Sequence, residues 1–372
     1  MSAWFLVAYH FLFFWKFYRN PYLLCTSELA STFFPHWIWM GRELRQGRFP
    51  AQDDIYYKLP GSIPFLATFY PPNLITAWLG SFLSLDKAFL LYMQSILTHY
   101  LVGSFLAYYL FGNLFAAITL VYAGYCIKLQ QPTIAYTLAW IPAMFLEGWM
   151  GVLGCFMALV AGYYPILVYV LPIAIVANPI CALGAIFAVP QIIPFLGYFR
   201  RSVRTTEVVD RNFGRLPWHR LTDLFIPRSD QQHVNGVHYP EVAMYMGIAV
   251  LFIWRADVWL LALFGGILVS LGIVPSIQRI PSRALYLVTL AIATLASHSP
   301  LLSTPLYSGL LILQCFLLLQ NSSIYPSFPF SQWWDLPSRL YTKKPKMNNW
   351  PYVTGYLEGK SRSEYLGAFR LS

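Results

Sequence analysis

Long apolar stretches occupy most of this 372-residue chain, and they restrict the folds open to it more than any other feature. They lie approximately at residues 74–85, 88–111, 114–129, 133–146, 149–177, 179–199, 242–254, 256–277, 283–297 and 301–319. Charged residues make up only 11% of the chain, against roughly a quarter in a soluble domain. That is too little charge to cover a surface that faces water, whereas a surface that faces lipid needs none. We therefore predict an all-α polytopic integral membrane protein with about 10–11 transmembrane helices.

The polar stretches divide the chain into six predicted parts. A first transmembrane helix covers residues 1–19. A long polar first loop covers 20–73, and within it residues 33–44 have the composition of a helix that lies on a membrane surface. The remaining parts are a transmembrane helix bundle at 74–199, a polar basic loop at 200–241, C-terminal transmembrane helices at 242–319 and a hydrophilic tail at 320–372.

Short breaks separate the apolar stretches of the predicted bundle. They are Asp86-Lys87, Gly112-Asn113, Gln130-Gln131-Pro132, Glu147-Gly148 and Asn178-Pro179. The stretch 149–177 fits either one long tilted helix or two short helices broken at Gly162-Tyr163-Tyr164-Pro165. Broken helices at membrane depth occur where they line a cavity.

The formal net charge of +10 indicates membrane lipids as partners, because Lys and Arg collect on cytoplasmic loops and contact anionic head groups. A nucleic-acid partner would require a basic face, and the sequence indicates none, so we predict no nucleic acid. The five cysteines have no paired spacing, which argues against a zinc site or a disulfide framework. No metal site is predicted. The cofactor stays open, since nothing in the sequence indicates a divalent cation.

Several motifs of the first loop and the bundle occur in a distinctive order. They are Gly47-Arg48-Phe49-Pro50, Gly61-Ser62-Ile63-Pro64, Tyr70-Pro71-Pro72-Asn73-Leu74, Ala139-Trp140-Ile141-Pro142, Ala161-Gly162-Tyr163-Tyr164-Pro165 and Pro190-Gln191-Ile192-Ile193-Pro194. In this order they resemble the bacterial YfhO-type membrane proteins, over about residues 20–300. Tyr163 stands where that family has His, and Glu28 stands in a Ser-Glu-Leu setting where it has Ser-Asp-Leu.

The resemblance implies a function as well as a fold. Proteins of this family are similar to C-type (GT-C) glycosyltransferases, polytopic enzymes that move a sugar from a polyprenyl-phosphate carrier to an acceptor at the outer membrane face. It therefore implies a hexosyltransferase-type activity, a polyprenyl-phosphate-linked sugar as a partner and a place in the bacterial inner (cytoplasmic) membrane. It implies nothing about the oligomeric state.

Inverting sugar transfer needs a carboxylate that takes the proton of the acceptor hydroxyl. Three acidic residues of the first loop are the candidates, namely Glu28, Asp53 and Asp54. Each has an alternative interpretation, because Glu28 fits a helix cap and the two aspartates fit a solvated turn. Glu28 also departs from the family pattern by about one methylene.

The leaving phosphate needs positive charge or hydrogen-bond donors. Arg201 and Arg204 follow an apolar helix and could grip it, although anchoring of the helix to lipid phosphates is the more common role of such residues. Tyr70, Asn73 and Gln191 belong to the matching motifs and are candidates for contacts with substrate. His99 lies within an apolar run, where an ionisable side chain marks either a functional site or a hydrogen-bonded packing histidine.

Two other functions stay open at this level. A transporter or flippase for lipid-linked sugars would tend to have inverted repeats and paired charges within its spans, and neither is evident. A catalytically inactive membrane subunit or scaffold of the same family would be consistent with the Glu28 replacement. The concentration of carboxylates in one long loop favours the enzyme.

Overall fold

A computed structural model describes residues 2–19, 29, 33–50, 52–53, 59–60, 67–123, 131–193, 196, 215–224, 258–274 and 281–298. These residues are mostly helical, which confirms the all-α prediction. Two strands of two residues each, β1 (Gln52–Asp53) and β2 (Leu59–Pro60), pair antiparallel within the first loop, with Gln52 opposite Pro60.

The helices follow in chain order and are named here as they occur. They are α1 (Ser2–Phe13), α2 (Trp15–Arg19), α3 (Phe34–Arg45), α4 (Pro71–Gly80), α5 (Leu85–Phe111), α6 (Leu114–Tyr122), α7 (Pro132–Met144), α8 (Trp149–Ala161), α9 (Tyr164–Ala177), α10 (Ala182–Phe187), α11 (Trp259–Ser270) and α12 (Leu285–Ser297). Short 3-10 segments lie at Pro179–Cys181, Trp218–Leu224 and Pro281–Ala284.

Helix α5, with 27 residues, is long and apolar enough to cross a membrane by length and composition. Among the described residues it is the one helix that meets this criterion. Five further apolar helices have only 10–17 residues, which is shorter than the roughly 20 residues of a full span. The number of ten or eleven spans therefore stays a prediction.

The centre of the described structure is formed by α7, which packs against α5 on one side and α8 on the other. Glycines bring these helices into close contact. A Cβ at Gly103 of α5 would lie 2.9 Å from the Ala139 Cα of α7, and one at Gly154 of α8 would lie 2.6 Å from backbone atoms of Ala143 and Met144. Helix α12 packs against α6 and α11, and α10 packs against α8.

The apolar stretch 149–177 is two helices rather than one. Gly162 ends α8 with a left-handed conformation (φ 87°), and its N–H donates to the Leu159 carbonyl at 3.1 Å. Pro165 occupies the first turn of α9, where its missing N–H costs no hydrogen bond. Of the two alternatives that the sequence left open, the break at Gly162 is the one that occurs.

The predicted break at Gly112-Asn113 is a pair of helix caps. Gly112 adopts a left-handed conformation (φ 63°) after α5, which glycine permits without a Cβ clash. The Asn113 side chain then accepts hydrogen bonds from the N–H groups of Phe115 (2.9 Å) and Ala116 (3.1 Å) at the start of α6. These bonds satisfy donors that would otherwise have no intrahelical partner.

Replacing Asn113 by Ala is expected to lower the free energy of unfolding by about 1 kcal/mol, because the first turn of α6 loses its acceptor. Thermal unfolding of the purified protein measures this change. Asn113→Ser, which keeps a capping oxygen, is the matched control and should lose much less. Equal losses for Ala and Ser would contradict the role of the cap.

The predicted break at Asp86-Lys87 is wrong in position. The turn lies at residues 81–84, and Asp86 and Lys87 belong to the first turn of α5. An acidic side chain is favoured there because it interacts with the positive end of the helix dipole. The charges that suggested a break therefore belong to a helix start.

The helix predicted at 33–44 is present as α3. Its aromatic residues do not form a separate apolar stripe on the surface, because Phe34, Trp37 and Trp39 are buried within the protein. Gly80 of α4 provides the space for the Trp37 ring. The apolar side of α3 therefore packs mainly on α4 and also on α5. Protein covers this side of the helix, where the sequence suggested contact with lipid.

Candidate functional site

The first loop returns to the helix bundle through a tight segment at residues 67–70. Ala67 has a positive φ of 55° and is fully buried, although non-glycine residues rarely adopt this conformation. Its carbonyl accepts from the Tyr70 N–H at 3.3 Å and from the Asn73 side-chain amide at 3.1 Å. These bonds hold the backbone in an unfavourable conformation and fix where the loop meets α4.

The Tyr70 hydroxyl is the centre of a buried hydrogen-bond network. It accepts from the Trp140 indole N–H of α7 at 2.6 Å and is 2.6 Å from the Nε2 atom of His99 on α5. The Nδ1 atom of His99 is 2.6 Å from the Ser95 carbonyl. Because a carbonyl only accepts, Nδ1 carries the proton, so Nε2 of a neutral His99 accepts from the Tyr70 hydroxyl. The motif at the end of the first loop is thereby joined to α5 and α7.

Aromatic packing encloses this network. The Tyr136 ring of α7 stacks on Tyr70 with ring centroids 5.2 Å apart, and it lies 4.3 Å from the His99 ring. Tyr70 and Tyr136 are essentially inaccessible to solvent. A hydrogen bond in such low-dielectric surroundings is strong, and a lost partner there is costly. The network therefore favours a single arrangement of the loop end on α5 and α7.

The network lies half-way along α5. His99 is near the centre of Leu85–Phe111, so the end of the first loop is bonded to the middle of α5, the candidate span among the described residues. Irregular backbone at such depth is tolerated where protein or a cavity surrounds it. Protein surrounds residues 67–70, since Ala67, Thr68 and Tyr70 are all buried.

Helix α3 is tied to the same segment. His36 Nε2 lies 3.0 Å from the Thr68 hydroxyl, and both side chains are buried. The Trp37 indole N–H donates to Thr76 Oγ1 of α4 at 3.4 Å. Because α3 lies inside the first loop, the loop is attached to the bundle at an internal helix as well as at its end.

Asn73, a predicted substrate contact, is buried at the start of α4. Its amide N–H donates to Ala67, whereas its side-chain oxygen has no hydrogen-bond partner within the described residues. Tyr70 is equally buried and is bonded to protein groups. Both residues organise the loop end, and a direct contact with substrate stays a prediction for them.

Gln191, the third predicted contact, joins two further motifs. Its amide donates to the Val160 carbonyl at 3.0 Å and to the Tyr164 hydroxyl at 3.1 Å, on either side of the α8–α9 break. Within this break, the Tyr163 N–H donates to Thr137 Oγ1 of α7 at 3.2 Å. The motifs around Trp140, Tyr163 and Gln191 thus surround one helix junction.

Carboxylates are absent from the buried part of the described helices. The buried polar side chains there are hydroxyl, amide, imidazole and one guanidinium groups. Asp53 lies in β1 of the first loop, while Glu28, Asp54, Arg201 and Arg204 lie outside the described residues. The described helices therefore offer no buried carboxylate, and the proposed catalytic role of the first-loop acids stays a prediction.

A charged pair joins the end of α3 to the chain that follows it. Arg48 donates to the Glu43 carboxylate through two nitrogen atoms, at 2.6 and 2.8 Å, and the bonds to Glu43 raise the pKa of the Arg48 guanidinium. Arg45 donates to the Ser81 carbonyl at 3.1 Å and lies over the Phe82 ring.

No group of three metal-binding side chains occurs within the described ranges.

Comparisons with protein families, with curated proteins and with solved structures give no match to this chain.

Sequence reasoning missed His36 and Thr68. No local pattern marks them, because their pairing joins residues 32 positions apart. His99 is recognisable in the sequence as an ionisable side chain in an apolar run. In the structure it is a buried histidine with hydrogen bonds to protein groups, which agrees with the interpretation as a packing histidine. Its partner, Tyr70, was recognised only through a motif.

Removing the Tyr70 hydroxyl is expected to destabilise the protein measurably. Tyr70→Phe leaves the Trp140 N–H without a buried acceptor and His99 without a buried donor, which costs roughly 1–3 kcal/mol for each unsatisfied group. A double-mutant cycle with Trp140→Phe, followed by thermal unfolding, should give a coupling energy above about 0.5 kcal/mol.

Tyr169→Phe is the control for this cycle, because the Tyr169 hydroxyl is buried on α9 without a hydrogen-bond partner among the described residues. It should leave the stability nearly unchanged. Additive effects of Tyr70→Phe and Trp140→Phe would contradict the network.

Proposed function

We propose that this chain is a GT-C-like membrane glycosyltransferase that moves a sugar from a polyprenyl-phosphate donor to an acceptor at the cell surface. The observation that carries the proposal is the attachment of the first loop. That loop contains every carboxylate proposed for catalysis, and its end is fixed to α5 and α7 by the buried network of Tyr70, His99 and Trp140. An anchored loop supports the proposal, because a catalytic group needs a loop that is held at a defined place.

The membrane part of the proposal is supported by exposed apolar side chains. Many large ones lie on the outside of the described helices, among them Trp4, Phe11, Ile75, Trp78, Tyr109, Trp149, Val176, Ile186, Phe187, Leu261 and Phe264. Water-soluble proteins rarely expose extended apolar surface. Together with the apolar stretches of the sequence, this supports a multi-pass protein, which we place in the bacterial inner membrane by the family resemblance.

The proposed reaction is a single displacement at the anomeric carbon. A carboxylate of the first loop, Glu28 or Asp53, takes the proton of the acceptor hydroxyl as its oxygen forms the new glycosidic bond. The bond from the anomeric carbon to the carrier phosphate breaks, and polyprenyl phosphate leaves. Arg201 and Arg204 are proposed to stabilise the negative charge of that phosphate.

The test is an assay with the full-length protein in lipid nanodiscs. Polyprenyl-phosphate-linked hexoses carrying a radioactive sugar are the donors, and isolated cell-envelope polymer is the acceptor. We expect sugar to enter the polymer with release of an equal amount of polyprenyl phosphate. Failure of every donor to react, under conditions in which the protein remains folded, would reject the proposal.

A flippase for the same lipid-linked sugars is the alternative that has structural support. Irregular backbone at 67–70 lies at the mid-height of α5, and α8 and α9 are separated by a break. Transporters place their substrate sites at such interruptions. Reconstitution in liposomes separates the two functions, because a flippase moves the intact donor across the bilayer and releases no polyprenyl phosphate.

A further inference from the structure

Two of the five cysteines lie against each other. Cys155 is in the middle of α8 and Cys181 ends the 3-10 segment Pro179–Cys181, and both are fully buried free thiols. The two thiol groups interact with each other. No local sequence pattern pairs them, because α9 and the break at Gly162 separate them.

Close backbone packing holds this pair together. Cys181 and Gly184 are three residues apart in one helical segment and therefore share a face. That face packs on α8 so closely that a Cβ at Gly184 would lie 2.8 Å from the Cys155 Cβ. The segment that carries Cys181 therefore packs on α8 at Cys155, with no space for a side chain at position 184.

The pair is buried, but other residues of the segment that carries Cys181 are exposed. Ile180 and Leu183, in the same segment, are each 41% exposed. Their exposed apolar side chains indicate that a small apolar reagent can approach this segment. A water-soluble oxidant has less access to it.

We propose that Cys155 and Cys181 form a reversible disulfide that links residues 179–187 covalently to α8. In forming the S–S bond the two thiols lose two protons and two electrons. A lipid-soluble quinone takes up both and becomes the quinol. A thiol reductant restores the pair by thiol–disulfide exchange. This proposal does not depend on the proposed transferase activity.

The bond would have a structural consequence. It would close a loop that contains the α8–α9 break and the whole of α9. Closing a loop restricts the unfolded chain and so stabilises the fold. It would also hold α9 in one position relative to α8, and the Gln191 contacts to Val160 and Tyr164 lie at the same junction.

The test counts free thiols in the full-length protein in nanodiscs. After treatment with a short-chain benzoquinone and removal of the reagent, the protein is denatured and labelled with a maleimide of high mass. We expect the wild type to fall from five labels to three and to regain five after reduction. The variant Cys181→Ala should carry four labels with or without quinone, and peptide mapping should find Cys155 linked to Cys181.

Two results would overturn the proposal. One is retention of all five labels after oxidation of the folded protein. The other is a loss of two labels that persists in Cys181→Ala, or a crosslink that maps to Cys25, Cys126 or Cys315. A triple variant with Ser at those three positions should fall from two labels to none, and this checks the assignment without altering the pair.

Discussion

Sugar transfer by the variant Glu28→Gln is expected to be at least a hundred-fold slower than by the wild type. A general base contributes roughly a hundred- to ten-thousand-fold to a rate, and the amide of Gln cannot take the proton of the acceptor hydroxyl. Asp53→Asn should have an effect of similar size if the two acids share the task. The measurement is the initial rate of polyprenyl phosphate release in nanodiscs at saturating donor.

Glu147→Gln provides the control for these variants. Glu147 is an exposed acid in the turn between α7 and α8, outside the first loop, and its replacement should leave the rate unchanged. Wild-type rates in both Glu28→Gln and Asp53→Asn would remove the catalytic assignment. Equal slowing by Glu147→Gln would indicate a general loss of folded protein.

The second large effect is expected from a single added methyl group. Gly154→Ala would place a Cβ 2.6 Å from backbone atoms of Ala143 and Met144, and backbone atoms cannot move aside as a flexible side chain can. Helices α7 and α8 would have to separate along their contact. Overpacking of this kind costs typically 1–3 kcal/mol, which thermal unfolding measures as a lower midpoint.

Gly265→Ala is the matched control, because Gly265 lies inside α11 and a Cβ there would meet no atom within 4 Å. In an open helical position Ala is better than Gly by roughly 0.5–1 kcal/mol. We therefore expect opposite signs from the same substitution, with Gly154→Ala less stable and Gly265→Ala slightly more stable than wild type. Equal effects would contradict the close packing of α7 on α8.

Local features of this fold could be predicted from the sequence. The Gly112-Asn113 and Gly162 breaks were recognisable, because glycine at a positive φ and an asparagine cap act within a few residues. Helix α3 was recognisable from the amphipathic composition of residues 33–44. Asp86 misled the prediction because an acidic residue is compatible both with a turn and with the first turn of a helix.

Long-range features could not be predicted in the same way. The hydrogen bond between Tyr70 and Trp140 joins residues 70 positions apart, and the His36–Thr68 pair depends on how α3 packs on α4. Residues with an apolar body and a polar tip, such as Tyr70, give no local sign of whether they face substrate or protein. The motifs singled out Tyr70 and Trp140, and the structure shows that they contact each other.

The claim that supports all of these proposals is that the apolar helices lie within a lipid bilayer. Extraction of native membranes with sodium carbonate at alkaline pH tests it most directly, because this treatment releases peripheral proteins and leaves bilayer-spanning ones in place. We expect the full-length chain to remain in the membrane pellet and to be released only by detergent. Recovery of folded protein in the carbonate supernatant would contradict the account.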